Sequence, residues 1–272
     1  DMAKLGFHKS AHLEDAKLEI ARYLIAFGAT LMYGGDLRKG GFTDLIGQLV
    51  MSYKSKDVNE VLLQNYLAWI LTDTVTEEEE TSVFGKVTYM KCMIPAGISK
   101  KRKPNNFLTS NNSEGLYVWK RSLTSMRKKM IHKNNARIFM GGRTQNYKGK
   151  YPGVVEEAYL SLSAKKPVYL IGTFGGATQD IIKAVQGEEP YRLTEEYLFK
   201  PKVKQNVEYF NQNIGTFDEK IDCKKVLTFL NETGIEGLNN GLSAEDNRRL
   251  FTSKYIPEIA SLILKGLFQL EA

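Results

Sequence analysis

Ala136-Arg137-Ile138-Phe139-Met140-Gly141-Gly142-Arg143 is a short β-type run that ends in two glycines and a cation. The pattern occurs twice more. Ala29 to Met32 runs into Tyr33-Gly34-Gly35-Asp36-Leu37-Arg38, and Pro167 to Ile171 runs into Gly172-Thr173-Phe174-Gly175-Gly176. A helix-patterned segment follows each turn, after a longer linker in the case of Gly141-Gly142. In a parallel α/β sheet these positions lie at the carboxyl ends of strands, where ligands bind. Glycine there lets backbone N–H groups approach a phosphate closely, and a helix N-terminus adds favourable partial charge. Three such turns, two of them carrying arginine or aspartate, point to a nucleotide-type pocket.

The surrounding pattern agrees. Leu13, Ala16, Ile20, Ala21 and Leu24 recur at helical spacing, which predicts a helix over 12–27 with Gly28 as its C-cap. A helix is expected over 42–53 with Thr43 placed to cap it. A helical start and a strand-like end, Tyr66 to Leu71, are read in 58–71. A strand is expected over 86–94, and a basic helix over 116–132. Further on come a strand over 136–140, a helix over 154–164 begun by Pro152, a strand over 167–171 and a helix over 175–186. Beyond Gly187 the spacing is helical throughout: 194–211, 223–232, 244–251 and 255–268.

Strand–helix alternation up to Gln186 predicts a Rossmann-like, mostly parallel sheet with helices on both faces. We divide the chain into a nucleotide-binding domain, 1–187, and a helical C-terminal extension packed on it, 188–272. The polar start at Asp1 leads straight into a helix, so the first strand of the sheet, and room for a further domain, are expected upstream. The stripe Ile256, Ile259, Leu262, Ile263, Leu267 and Phe268 in the extension suits either a self-association surface, giving a homo-oligomer, or packing on the domain's own sheet.

Composition narrows the function. The 272 residues are 42% hydrophobic and 25% charged, ordinary for a globular protein. No apolar run is as long as a membrane span, so no membrane partner is expected. Two isolated cysteines, Cys92 and Cys223, fit a reducing, cytoplasmic setting, and three histidines without paired Cys/His spacing give no metal site. The net charge of +7 is uneven: residues 98–133 hold ten basic residues against the single acid Glu114, so the remainder of the chain is −2. Glu77 to Glu80 form a compact acidic run upstream. The basic window reads as a solvated helix face or as a positive rim that attracts an anion. Nucleic acid is a third option, without the aromatic-interleaved motif that would support it. Arg121 and Arg127 lie six residues apart, about 120° around a helix, so only one is expected to touch a ligand.

Within the first turn, Gly34, Gly35, Asp36, Arg38, Gly41 and Thr43 are the candidate ligand residues. Arg38 can hold a phosphate by a bidentate pair, and Asp36 can accept from a ribose hydroxyl or orient Arg38. A tight turn with a structural Asp–Arg pair is the alternative. The second site comprises Gly141, Gly142, Arg143, Lys148, Tyr151, Gly153 and Glu157, and the third Thr173, Phe174, Gly175 and Gly176. Glu156 and Glu157 sit where a helix N-terminus favours acids. One of them could instead hold a ribose diol, or act as acid/base in glycosidic cleavage.

These three turns, with Pro152-Gly153 and Glu156-Glu157, resemble the SLOG superfamily, which is related to the "lonely guy" phosphoribohydrolases and to the DNA-processing protein of natural transformation. The resemblance covers roughly 1–186, and Asn240-Gly241-Leu242-Ser243 with Asn247, Leu250 and Phe251 is similar to the tail of the same subfamily. The phosphoribohydrolases carry Pro-Gly-Gly-x-Gly-Thr-x-x-Glu. Here Pro152-Gly153-Val154-Val155-Glu156-Glu157 lacks the second glycine and the Gly-Thr pair. The resemblance therefore implies the sensing branch, with no catalytic residue and no required cofactor. Such modules bind NAD-derived nucleotides such as ADP-ribose or its cyclic isomers. They occur beside TIR or sirtuin-type effector domains in bacterial antiphage proteins, and in TRPM channels. A nucleotide N-glycosidase using Glu156 or Glu157 is the alternative, and a nucleic-acid-binding module the second.

Overall fold

The computed structural model describes residues 11–35, 41–53, 61–74, 87–99 and 112–271. Five short strands and ten α-helices alternate in the described chain. Strands β1 (Leu31–Gly34), β2 (Leu63–Leu67) and β3 (Val87–Lys91) form one sheet in that order, all parallel, with Leu31 opposite Leu63 and Leu63 opposite Val87. Strands β4 (Arg137–Met140) and β5 (Val168–Ile171) form a second parallel pair, with Arg137 opposite Val168. Parallel strands need crossovers, and helices supply them.

Helix α1 (Ala11–Ala26) joins the two sheets. Its Ala16, Ile20 and Leu24 pack with Met140, Tyr169 and Ile171, while Ala21 and Ile25 pack with Leu63 and Val87. The two sets lie on adjacent faces of one helix, as their i,i+4 spacing dictates. The helix ends where the Gly28 N–H donates to Ile25 O at 2.9 Å and the Ala29 N–H to Leu24 O at 2.9 Å, a Schellman-like close. Helix α2 (Phe42–Ser52) has Gly41 at its N-cap and no side-chain cap; Thr43, expected there, is buried inside the first turn. The strand expected at 66–71 instead occupies Leu63–Leu67, because pairing with both β1 and β3 fixes its register, and a 3₁₀ turn, Trp69–Thr74, takes up the remaining residues.

Helix α3 (Ser113–Lys133) is capped by Asn112, whose side chain accepts from the Gly115 N–H at 2.7 Å, and it packs over β1 and β2. Helices α4 (Gly153–Ser163) and α5 (Gly176–Val185) follow β4 and β5. Both faces of β5 are buried: Val168 and Leu170 point into the cluster of α4 and α5, and Tyr169 and Ile171 into that of α1. A sheet covered on both sides explains why its strands read as continuous apolar runs.

The extension is integral to this core. The helix expected over 194–211 is interrupted: a 3₁₀ turn at Tyr191–Leu193 and a single turn, α6 (Glu195–Leu198), precede α7 (Pro201–Asn213). Pro201 cannot continue a preceding helix but suits the first position of a new one. Helix α8 (Cys223–Thr233) packs on α4 and α5. Helices α9 (Ala244–Thr252) and α10 (Ile256–Glu271) cover β5 and α1. Asn240 ties this tail to the strand: its amide donates to Val168 O and to Asn247 Oδ1, each at 2.8 Å, and Tyr169 Oη donates to Asn240 O. Ile259, Leu262 and Ile263 are buried in the chain's own core, so that part of the stripe is spent on packing, whereas Phe268 is 64% exposed. Among the described residues no helix is long and apolar enough to cross a membrane.

Candidate functional site

The second and third glycine turns interlock. The Ala177 N–H donates to Gly142 O and the Thr178 N–H to Gly141 O, each at 2.9 Å, and Thr178 Oγ1 also donates to Gly141 O. These are N–H groups of the first turn of α5, so part of the anion-binding capacity expected of that N-terminus is used by the neighbouring loop. Gly176 has φ +66°, and a Cβ there would lie 2.4 Å from Gly142 O. Thr173 donates its hydroxyl to Ser253 O, and Phe174 is buried beside Ile20 and Ile171. The third turn thus locks β5 to the tail and to the second turn.

The first turn ends at the described Gly35, whose carbonyl accepts from Asn65 Nδ2 at 3.4 Å. A Cβ on Gly34 would meet Met126 and Met130 of α3 at 2.9 Å, and one on Gly35 would meet Thr43 Oγ1 at 2.7 Å. Asp36, Arg38 and the acidic run Glu77 to Glu80 lie outside the described residues.

Between α3 and α4 lies a buried ionic network. Arg127 Nη1 sits 2.6 Å from Glu156 Oε2, with side chains only 8% and 1% exposed. Thr124 Oγ1 donates to Glu156 Oε1, and the Lys150 N–H donates to Glu156 Oε2 at 3.1 Å. Arg127 Nε reaches Glu157 Oε1 at 3.3 Å, and Arg137 pairs with Glu157 Oε2. Burial, and then Arg127, push the Arg137 guanidinium down to about 10. Two glycines make room for this pair: a Cβ on Gly149 would lie 2.7 Å from Arg127 Nη1 and 2.8 Å from Glu156 Oε2, and one on Gly153 would lie 3.0 Å from Arg127 Nη2. Gly153 therefore cradles a guanidinium of the protein itself.

The basic helix divides its cations between two faces: Lys128 and Lys133 stay exposed, and three others turn inward. Lys120, Arg121 and Arg127 are all buried. Arg121 donates to Tyr117 Oη at 3.2 Å and to Ala96 O at 2.8 Å, and its guanidinium lies over the Phe217 ring. A guanidinium keeps a delocalised charge and stacks readily, which lets it occupy such a half-aromatic site. Lys148 places its ammonium 3.9 Å from the Trp119 ring centroid, and Tyr151 Oη accepts from the Asp222 N–H at 2.8 Å. Arg143, at the head of the second turn, is exposed and makes no hydrogen bond or ion pair among the described residues.

Thr124, Arg137, Asn65 and Lys120 were not singled out from sequence. The available signal was the spacing Lys120, Thr124, Arg127, which puts three polar groups on one face of a helix that also buries Val118 and Met126. His12 and His132 are exposed, and among the described residues no group of His, Cys, Asp and Glu could hold a metal. A surface cleft of ≈ 500 Å³ beside α9 and α10 is lined by Asp246, Arg249, Glu258 and Lys265, which pair with one another.

Parallel strands, three of them with glycine turns at their carboxyl ends, and helices packed against the sheets define a Rossmann-like α/β protein. More narrowly, residues 1–250 match the family model of SLOG cluster2, and the chain belongs to the SLOG superfamily. The match runs well past Gly187 into α9, in keeping with the packing of the tail on β5. Neither a curated protein nor a solved structure matches the chain.

Proposed function

We propose that this SLOG domain is a sensor that binds an NAD-derived nucleotide, of the ADP-ribose or cyclic ADP-ribose type, and passes that event to an effector of the TIR or sirtuin type in bacterial antiphage defence. The observation that carries the reading is Arg143: an exposed guanidinium without a partner among the described residues, at the carboxyl end of β4, where two glycine turns meet. A guanidinium in that position suits a phosphate. Membership of the superfamily supports a nucleotide as its carrier. A cytoplasmic setting and a homo-oligomer complete the proposal, with the exposed Phe268 available for a subunit contact.

Hydrolysis of the nucleotide is the weaker reading. Both oxygens of Glu156 already accept hydrogen bonds, and Glu157 is held by two arginines. Service as a general acid or base would require breaking a buried pair first. Incubation with nucleoside monophosphates and ADP-ribose, followed by chromatography, tests the distinction. We expect bound, intact nucleotide; stoichiometric release of free base would replace the sensor with an N-glycosidase.

A further inference from the structure

Tyr191 is 55% exposed, yet its mount is fixed. It opens the 3₁₀ turn Tyr191–Leu193, between the buried Pro190 and the buried Leu193. The residue between Tyr191 and Leu193, Arg192, is tied to α5: its Nε lies 2.9 Å from Asp180 Oδ2, and the Asp180 side chain is only 4% exposed. The Tyr191 ring itself packs edge-to-face with that of Tyr197, with 5.5 Å between centroids and 72° between planes. Burying an aromatic ring is favourable, so a large ring left open to solvent on an anchored turn is a surface with stacking capacity to spare. A ring ordered in advance also loses little entropy when a second ring is laid on it.

Direct contacts lead from this ring to the glycine turns. Tyr197 Oη lies 3.3 Å from Thr144 Oγ1, and Thr144 is the residue after Arg143. On the other side, Arg192 Nη2 lies 3.5 Å from Gly176 O, in the turn whose following N–H groups hold Gly141 O and Gly142 O. The segment from Tyr191 to Tyr197 therefore borders the second and the third turn together. From the Tyr191 ring to Arg143 the path is one ring contact, one hydroxyl contact and one peptide bond. A nucleoside diphosphate can bridge such a separation between its base and its phosphates.

We propose that Tyr191 is the base platform of the site at Arg143: the heterocyclic base of the nucleotide stacks on the Tyr191 ring, which Tyr197 holds in place, while its phosphate pairs with Arg143. The inference rests on the nucleotide reading above, and adds to it the residue that recognises the base. Stacking on an aromatic face is open to any base, so Tyr191 separates nucleotides from bare sugar phosphates and does not separate one base from another. It also makes the helical extension part of the binding site, since the platform lies beyond Gly187 and the phosphate end before it.

The test titrates ADP-ribose, adenosine and ribose 5-phosphate into the whole chain and into Tyr191→Ala and Tyr191→Phe. Calorimetry should show ADP-ribose binding weakened about tenfold in Tyr191→Ala, the scale of one base stacked on an aromatic ring, and kept in Tyr191→Phe. Ribose 5-phosphate has the phosphate and no base, so its affinity should be the same for all three proteins. The ring is exposed, so both variants should melt with the wild type, which excludes misfolding as the cause. If ADP-ribose binds wild type and Tyr191→Ala alike, the platform falls and the nucleotide reading stands. An equal loss for ribose 5-phosphate, or a loss in Tyr191→Phe as large as in Tyr191→Ala, also overturns the platform. If adenosine binds through Tyr191 and ADP-ribose binds no more tightly, the platform stands and the reading of an NAD-derived ligand falls. Binding of neither adenosine nor ADP-ribose to the wild type overturns both.

Discussion

Arg127 Nη1 and Glu156 Oε2 meet 2.6 Å apart in the interior, one from α3 and the other from the first turn of α4. The pair fixes the start of α4 against α3, and with it the loop that carries Gly149 and Gly153. Removing one partner leaves a buried charge uncompensated. Glu156→Ala should therefore lower unfolding free energy by about 3–5 kcal/mol. Arg127→Met should do likewise, and the double substitution should cost less than the two single losses added together. Urea denaturation of the four proteins measures the coupling; strict additivity would mean that the pair contributes no interaction.

Gly176 is required by geometry on two counts, a positive φ and a backbone carbonyl 2.4 Å from where a Cβ would sit. Gly176→Ala should destabilise the domain by about 2–4 kcal/mol, since neither Gly142 O nor the start of α5 can move without breaking the Ala177 and Thr178 hydrogen bonds. Thermal unfolding checks this. An unchanged melting temperature would show that the two turns are not locked together.

Asp218 gives the extension a pH-sensitive link to the main fold. Its carboxylate lies 2.8 Å from Lys128 Nζ and 3.4 Å from Lys150 Nζ. Burial raises this carboxyl, but Lys150 and Lys128 together outweigh burial and hold it below the usual aspartate value. A group depressed on folding contributes stability that is present above its unfolded value, about 4. That stability is lost as pH falls through the folded value. Wild type should exceed Asp218→Asn by about 1–3 kcal/mol at neutral pH, and the gap should close below about pH 4. Melting curves between pH 7 and pH 3 show whether it closes.

Lys120 predicts the opposite limb. Its folded value, about 8, lies below the unfolded lysine value. Between the two, the unfolded chain binds more protons, so stability rises with pH. Relative to Lys120→Met, the wild type should gain about 3 kcal/mol from pH 8 to pH 10.5. The Glu156 carboxylate acts on both Lys120 and Tyr147, so Tyr147→Phe serves as the control for hydroxyl ionisation. A constant difference between wild type and Lys120→Met across this range would mean that Lys120 keeps its ordinary affinity for protons.

The fold was largely legible where a strand is apolar and runs into glycine, as β1, β4 and β5 do, a signal that survives in the linear sequence. Arg137–Met140, Val168–Ile171 and the helices after them stand within a residue or two of expectation. Tertiary partners decided the rest. The register of Leu63–Leu67 depends on two neighbours, and the break at Pro201 depends on the chain turning to reach α3. Thr43 looks like a cap until burial draws it inward. The ionic network was hidden for a physical reason: Lys120, Thr124 and Arg127 look like a solvated stripe unless Glu156 and Glu157, about thirty residues on, are known to face them. A charge run in sequence does not distinguish a rim from an interior.

The central claim is that the glycine turns serve a nucleotide that Arg143 holds by its phosphate. Isothermal titration of ADP-ribose and its cyclic isomers into the wild type and into Arg143→Ala tests it most directly. The account predicts saturable binding to the wild type, weakened by about tenfold or more in Arg143→Ala, with the melting temperature of the variant unchanged. No heat of binding from any of these nucleotides, or identical affinities for the two proteins, would contradict it.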